Sequence, residues 1–204
     1  MTPQASLKDR VLSAPIRRAE RLWCHRSVSL DALLRYGGNA LDPGGSLVTG
    51  GRYNPREGLE GAYAALYLAD HAATAHSEIG GLLRNLDGTL RRNLSTPPRV
   101  DIDVEIDQPM VLDLTDAATL THLGITRSDL DANWKIQAAR GQLALTQNLG
   151  AAAHQAGIVH AVRFYSTKLA GGVNHALLPA GQHLARVWQP DGESDRLRAL
   201  IQSV

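Results

Sequence analysis

The sequence predicts an α+β fold: a single domain with a mixed, mostly antiparallel sheet flanked by helices. Three observations predict it. Strand-like runs are dispersed among helical ones instead of alternating strictly with them. The clearest strand, Val100 to Ile106, alternates apolar residues with acids, as half-exposed antiparallel strands do. No internal repeat or low-complexity linker divides the chain, and 204 residues with a hydrophobic fraction of 44% can bury one sizeable core.

The elements follow in order. Residues 1–19 read as a short helical extension ahead of a domain at 20–204. The run Arg21-Leu22-Trp23-Cys24-His25-Arg26 predicts a strand, and Ser29 can cap a helix through Arg35 that Gly37-Gly38 ends. The glycine-rich stretch from Gly37 to Gly51 is long enough to be functional rather than a mere connector. Ala65 to Ala69 reads as a short buried strand, and Asp70 as the cap of a helix from His71 to about Arg84. After the Val100 to Ile106 strand, whose acidic face would discourage edge-to-edge pairing, come a strand at Met110 to Leu114 and a helix capped by Thr115. A helical region from Ser128 to about Gln155 is breakable at Gly141. Strands near Ile158 (ending near Tyr165), Val173 and Leu184 precede a C-terminal helix from Ser194 to Gln202.

Composition narrows the function classes. The formal net charge of +1 gives no reason to expect direct nucleic-acid binding. Basic residues crowd the start, from Lys8 to Arg26, and acids the middle, from Asp101 to Asp116, so the basic start either meets an acidic partner or packs near the acidic middle, the second being the favoured reading. Cys24 is the single cysteine, which excludes an intrachain disulfide or a multi-thiolate zinc site and favours a reducing cytoplasm. Apolar runs fall short of a membrane span or a secretory signal. Among the eight histidines, neither His71 with His76 nor His154 with His160 has helical zinc-site spacing, so no metal is expected. Trp134 and Trp188 read as core or interface residues, because no aromatic-basic interleaving surrounds them.

The richest stretch is Gly50-Gly51-Arg52-Tyr53-Asn54-Pro55, followed by Leu66-Tyr67-Leu68-Ala69 and Glu78. The glycines allow a tight turn, and Pro55 stiffens its exit, so Arg52 is presented from an ordered loop. Glu78 falls on the border of an apolar stripe formed by Ala72, Ala75, Ile79, Leu82 and Leu83, with no cation one turn away. It is either the edge of a solvated face or a carboxylate reserved for another partner. Near the other end, Gln147-Asn148-Leu149-Gly150 opens an alanine-rich helix, and Ser166 leaves a strand before the glycine turn Gly171-Gly172 and the run Val173-Asn174-His175.

These motifs, in this order, resemble the RES domain, a family named for its arginine, glutamate and serine and known as the toxin half of bacterial toxin-antitoxin pairs. The resemblance covers roughly residues 20 to 188. It implies an ADP-ribosyltransferase-like fold, NAD as the consumed substrate, and a core site of Arg52, Glu78 and Ser166 with Tyr67 in the same pocket. The family's N-terminal site arginine falls on Arg26, with His25 as the alternative. The resemblance further implies an Xre-like helix-turn-helix antitoxin as partner, with oligomerisation through that antitoxin.

The chemistry agrees with these residue types. Cleaving the bond between nicotinamide and ribose builds positive charge on the sugar, which a carboxylate such as Glu78 stabilises in the transition state. Arg52 suits the pyrophosphate, Tyr53 and Tyr67 can stack on nicotinamide or adenine, and Ser166 can hydrogen-bond ribose or phosphate and orient Glu78, with Arg26 and Asn174 counted among the residues that bind NAD. No metal is needed. The acceptor is open between water, inorganic phosphate and a protein side chain, the last making the chain a protein ADP-ribosyltransferase. A noncatalytic nucleotide-binding module is the reading from a different class.

Overall fold

Ser6 and Asp9 cap each other's backbone at the start of helix α1 (Leu7–Leu12), the first element of a computed structural model that describes residues 6–188 apart from 36, 86 and 88. Strands β1 (Arg17–Arg18) and β2 (Arg21–Ser29) follow, then α2 (Leu30–Arg35), whose Ala32 N–H donates to the Ser29 hydroxyl as expected. Next come α3 (Gly44–Thr49), β3 (Leu66–Ala69), α4 (Ala72–Glu78), and the hairpin β4 (Leu82–Arg84) and β5 (Leu90–Arg92). The middle holds β6 (Arg99–Asp107), β7 (Met110–Asp113), α5 (Ala117–Leu123), α6 (Arg127–Asp131), α7 (Trp134–Ala139) and α8 (Leu145–Ala156). The described chain closes with β8 (Ala161–Tyr165), β9 (Val173–Leu177), α9 (Pro179–Gln182) and β10 (Ala185–Val187).

Eight strands form one sheet in the order β1-β7-β8-β9-β3-β2-β6-β10, and only the β7–β8 pair is parallel. This is the single α+β domain with a mixed, mostly antiparallel sheet that the sequence predicts. Strand alternation sends Leu112, Val162, Phe164 and Ala176 into one core with α1, α5 and α8, and Cys24, Leu66, Leu68, Val104, Ile106 and Leu177 into a second core on the opposite face. The N-terminal residues are built into the first core: Val11 is fully buried there, and β1 pairs with β7. Burial raises the Cys24 thiol to about 12, so it is inert at neutral pH.

Several expectations are corrected. The helix expected to reach Arg84 stops at Glu78, because Gly80 turns the chain at φ 71° and residues 82–84 pair with β5 instead. Leu82 and Leu83 therefore belong to a hairpin and not to an apolar stripe. Asp70 does not cap this helix; His71 occupies that position, and the Asp70 carboxylate accepts the Val173 N–H at 3.2 Å. Asp116, one residue after the expected Thr115, caps α5 through the Thr119 N–H. The glycine-rich stretch contains α3, and the Ser128 to Gln155 region divides into three helices, with Gly141 at one of its breaks.

Strand β6 lies between β2 and β10, but β10 covers only residues 104–106, so Glu105 is interior while the Asp101 end is paired on the β2 side alone. The acids of β6 bind basic neighbours: Asp103 meets His25 at 2.6 Å, Asp101 meets His76 at 3.1 Å, and buried Glu105 meets Arg21 at 2.8 Å and Arg186 at 3.0 Å. Arg17 also reaches Asp116, at 3.9 Å, so part of the basic start does pack on the acidic middle. The helix expected at Ser194 to Gln202 lies outside the described residues.

Candidate functional site

Strands β2 and β3 share one bridge, His25 with Ala69, and do not continue the ladder. A cleft of about 460 Å³ opens there, a size that suits a small ligand. His25, Arg26 and Ser27 line one side, and Tyr67, Leu68 and Ala69 line the other.

The loop at the cleft floor is fixed by buried polar side chains. Asn54 is fully buried; its amide donates to the carbonyls of Ser46 at 2.8 Å and Tyr63 at 3.0 Å, and its oxygen accepts the Tyr67 hydroxyl at 2.9 Å. That hydroxyl accepts the Tyr53 N–H at 2.8 Å, and Gln147, on α8, donates to the Gly51 carbonyl at 3.1 Å. Each of these groups would cost about 1–3 kcal/mol if left unpaired, so the loop has one conformation. Gly51 is required because a Cβ there would overlap the Tyr67 hydroxyl. Tyr53, expected to stack on a ligand, is instead fully buried and packs on Phe164 with centroids 4.4 Å apart, so it is a core anchor. Tyr67 lines the cleft while its hydroxyl holds the loop, and burial keeps its pKa above the usual phenol range.

Glu78 ends α4, exposed to the cleft. Its Oε1 accepts the Ser166 hydroxyl at 2.6 Å and the Asn174 amide at 2.7 Å. The direction of the serine bond is determined, since Ser166 Oγ already accepts the N–H groups of Lys168 and Leu169, both at 3.0 Å. Its own proton therefore goes to the carboxylate, at a distance typical of a charge-assisted bond. Ser166 follows β8, and Asn174, opposite Phe164 and Ala69, lies on β9, so three elements converge on one oxygen. No other described side chain bonds Oε2.

The arginines are engaged through their Nη atoms, while Arg52 Nε is buried without a partner among the described residues. Arg52 lines the cleft, but its Nη2 donates to the Leu130 carbonyl and lies 3.4 Å from Asp131, and its Nη1 is 3.4 Å from the Tyr165 carbonyl. The two-pronged fork expected to face a pyrophosphate is thus turned into the protein, bracing the loop against α6 and β8. Arg52→Ala is expected to lower the melting temperature without ligand, by an amount equivalent to about 1.5–3 kcal/mol, and Arg52→Lys to recover only part of it. Thermal unfolding checks this; an unchanged melting temperature with weakened NAD binding would return the guanidinium to ligand duty. Arg26 donates to the carbonyls of Ala40 and Asp42, and burial lowers its pKa to about 10, which leaves it charged at neutral pH. His25 is held by Asp103. Both residues proposed for the N-terminal position therefore line the cleft, Arg26 tied to the loop before α3 and His25 tied to the sheet.

A family model described as the RES domain matches residues 20–198. The chain belongs to the RES domain family. Its structure is similar to a chain in the crystal structure of the M. tuberculosis MbcT-MbcA toxin-antitoxin complex, with a TM-score of 0.63 and 20% sequence identity, covering 95% of this chain and 97% of that one. At that identity the likeness concerns the fold. Comparison with curated protein sequences gives no match.

In this RES domain the cleft gathers residues that sequence reasoning did not assign to it. Trp134, expected in a core or interface, lines the cleft from α7 beside Lys135, and Lys168 lines it from the β8–β9 turn. Gln147 belongs to the Gln147-Asn148-Leu149-Gly150 run, but its reach to Gly51 spans 96 residues and leaves no local signal. Among the described residues no three potential metal ligands gather, and no helix is long and apolar enough to cross a membrane.

Proposed function

We propose that this RES domain is the toxin half of a toxin-antitoxin pair and consumes NAD by cleaving the bond between nicotinamide and ribose. The family match supports the reading, as does the similarity to a fold crystallised in a toxin-antitoxin complex. The observation that carries it is the Glu78 carboxylate, fixed through Oε1 by Ser166 and Asn174 in a cleft of about 460 Å³.

In the proposed reaction the C–N bond breaks with both electrons passing to the ring nitrogen, so nicotinamide leaves neutral and the ribose acquires oxocarbenium character. The bound carboxylate stabilises that positive charge more than it stabilises the ground state. Ser166 and Asn174 act as positioning residues. They hold the carboxylate in place before charge develops, so little reorganisation accompanies the reaction. An acceptor then adds to the sugar: water gives ADP-ribose, inorganic phosphate gives a phosphorylated ADP-ribose, and a protein side chain gives an ADP-ribosylated protein.

A toxin of this kind needs restraint. The proposed partner is a helix-turn-helix antitoxin of Xre type that covers the cleft with an acidic segment and competes with NAD. Purified protein incubated with NAD is expected to release nicotinamide, and the product formed with and without phosphate identifies the acceptor. Expression of the RES domain alone is expected to arrest growth, with relief on co-expression of the neighbouring antitoxin. Soluble, folded protein that leaves NAD intact in all arms while cells grow normally would overturn the proposal.

A further inference from the structure

NAD carries an anionic pyrophosphate, yet the cleft's arginines face inward. Arg52 is bound to the Leu130 carbonyl and Asp131, and Arg26 to the carbonyls of Ala40 and Asp42. His25 is bonded to Asp103. The other cationic side chains lining the cleft are Lys135 and Lys168, both exposed and without a carboxylate partner among the described residues.

Their placement is informative. Lys168 comes two residues after Ser166, and its N–H donates to the same Ser166 Oγ that bonds Glu78, so this lysine is rooted beside the carboxylate. Lys135 stands on α7 next to Trp134, a half-buried indole that also lines the cleft, and its ammonium lies 5.8 Å from that ring's centroid. An aromatic face and two unpaired cations on long flexible stems thus border the space around Glu78.

Resting on the NAD reading above, we propose that Lys135 and Lys168 form the pyrophosphate clamp and that Trp134 is the stacking platform for the adenine base. Each lysine supplies a point charge that moves to the phosphates, whereas the half-buried arginines would first have to abandon carbonyl partners. The indole gives a base a flat apolar surface that needs no hydrogen-bond code. All three residues act in binding, and none touches the bond that breaks.

Calorimetric titration with ADP-ribose tests the proposal without catalysis, and adenosine serves as the phosphate-free probe. The double variant Lys135→Ala, Lys168→Ala is expected to bind ADP-ribose about 10- to 100-fold more weakly, to lose most of the salt dependence of binding, and to bind adenosine as the wild type does. Trp134→Ala is expected to weaken both probes by about tenfold. Melting temperatures should stay close to the wild-type value, because the lysines are exposed. Equal ADP-ribose affinity in a folded double variant would overturn the clamp, and adenosine binding untouched by Trp134→Ala would overturn the platform. A wild-type protein that binds neither NAD nor ADP-ribose would overturn the NAD reading itself, and this assignment with it.

Discussion

Under the proposed NAD cleavage, Glu78→Gln is expected to lower the rate of nicotinamide release by about tenfold to a thousandfold, the scale of one electrostatic transition-state contact. The amide oxygen of glutamine can still accept the Ser166 hydroxyl and the Asn174 amide, so the side chain keeps its place and loses its charge. Because the residue is exposed, the melting temperature should move little. NAD binding should survive better than turnover, and the variant should no longer arrest growth. Wild-type turnover by Glu78→Gln would remove the carboxylate from the mechanism, since no structural loss is available to disguise the result.

The largest stability loss is expected far from the carboxylate, at Gly150 within α8. Replacing a helical glycine by alanine ordinarily favours the helix by about 1 kcal/mol. Here a Cβ would overlap the Tyr53 carbonyl and lie 2.7 Å from the Tyr63 hydroxyl that donates to it. Neither neighbour yields easily: the carbonyl is backbone, and the Tyr63 side chain is buried. Overpacking of this kind costs about 1–3 kcal/mol or more, and displacing the Tyr63 bond adds to it, so the sign reverses. Gly150→Ala is expected to lose about 2–4 kcal/mol, read as a fall of roughly 4–16 °C in melting temperature. Turnover should fall as well, because Tyr53 and Arg52 share the loop that would have to move. A melting temperature at or above that of the wild type would show that α8 and the loop can separate without cost.

What the sequence disclosed, and what it hid, follow from the range of the interactions. The strand at Leu66 to Ala69 and the alternation from Val100 to Ile106 were legible because side-chain period is a local property. The Gly141 break was legible for the same reason. The β4–β5 hairpin was hidden because Leu82 and Leu83 also fit a continuing helical stripe, and only the left-handed turn at Gly80 decides between the two. In the site, the ordered motifs named Glu78, Ser166 and Asn174, which the fold brings onto one oxygen. They did not reveal that Arg52 spends its donors on carbonyls 78 and 113 residues away, nor that Tyr53 points into the core. Two tyrosines on neighbouring motifs, Tyr53 and Tyr67, look alike in sequence until packing assigns Tyr67 to the wall and Tyr53 to the interior.

The two donors to Glu78 lie 88 and 96 residues beyond it in the chain, and β3 takes its place in the sheet against β9. A ribosome therefore delivers the carboxylate long before it delivers the groups that aim it. Until β9 has emerged, the growing polypeptide carries Glu78 unanchored, beside a loop that still lacks Gln147. Incomplete translation products, and fragments truncated before residue 173, hold no assembled site. Competence thus arrives late in synthesis, when nearly all of the described chain has already been made.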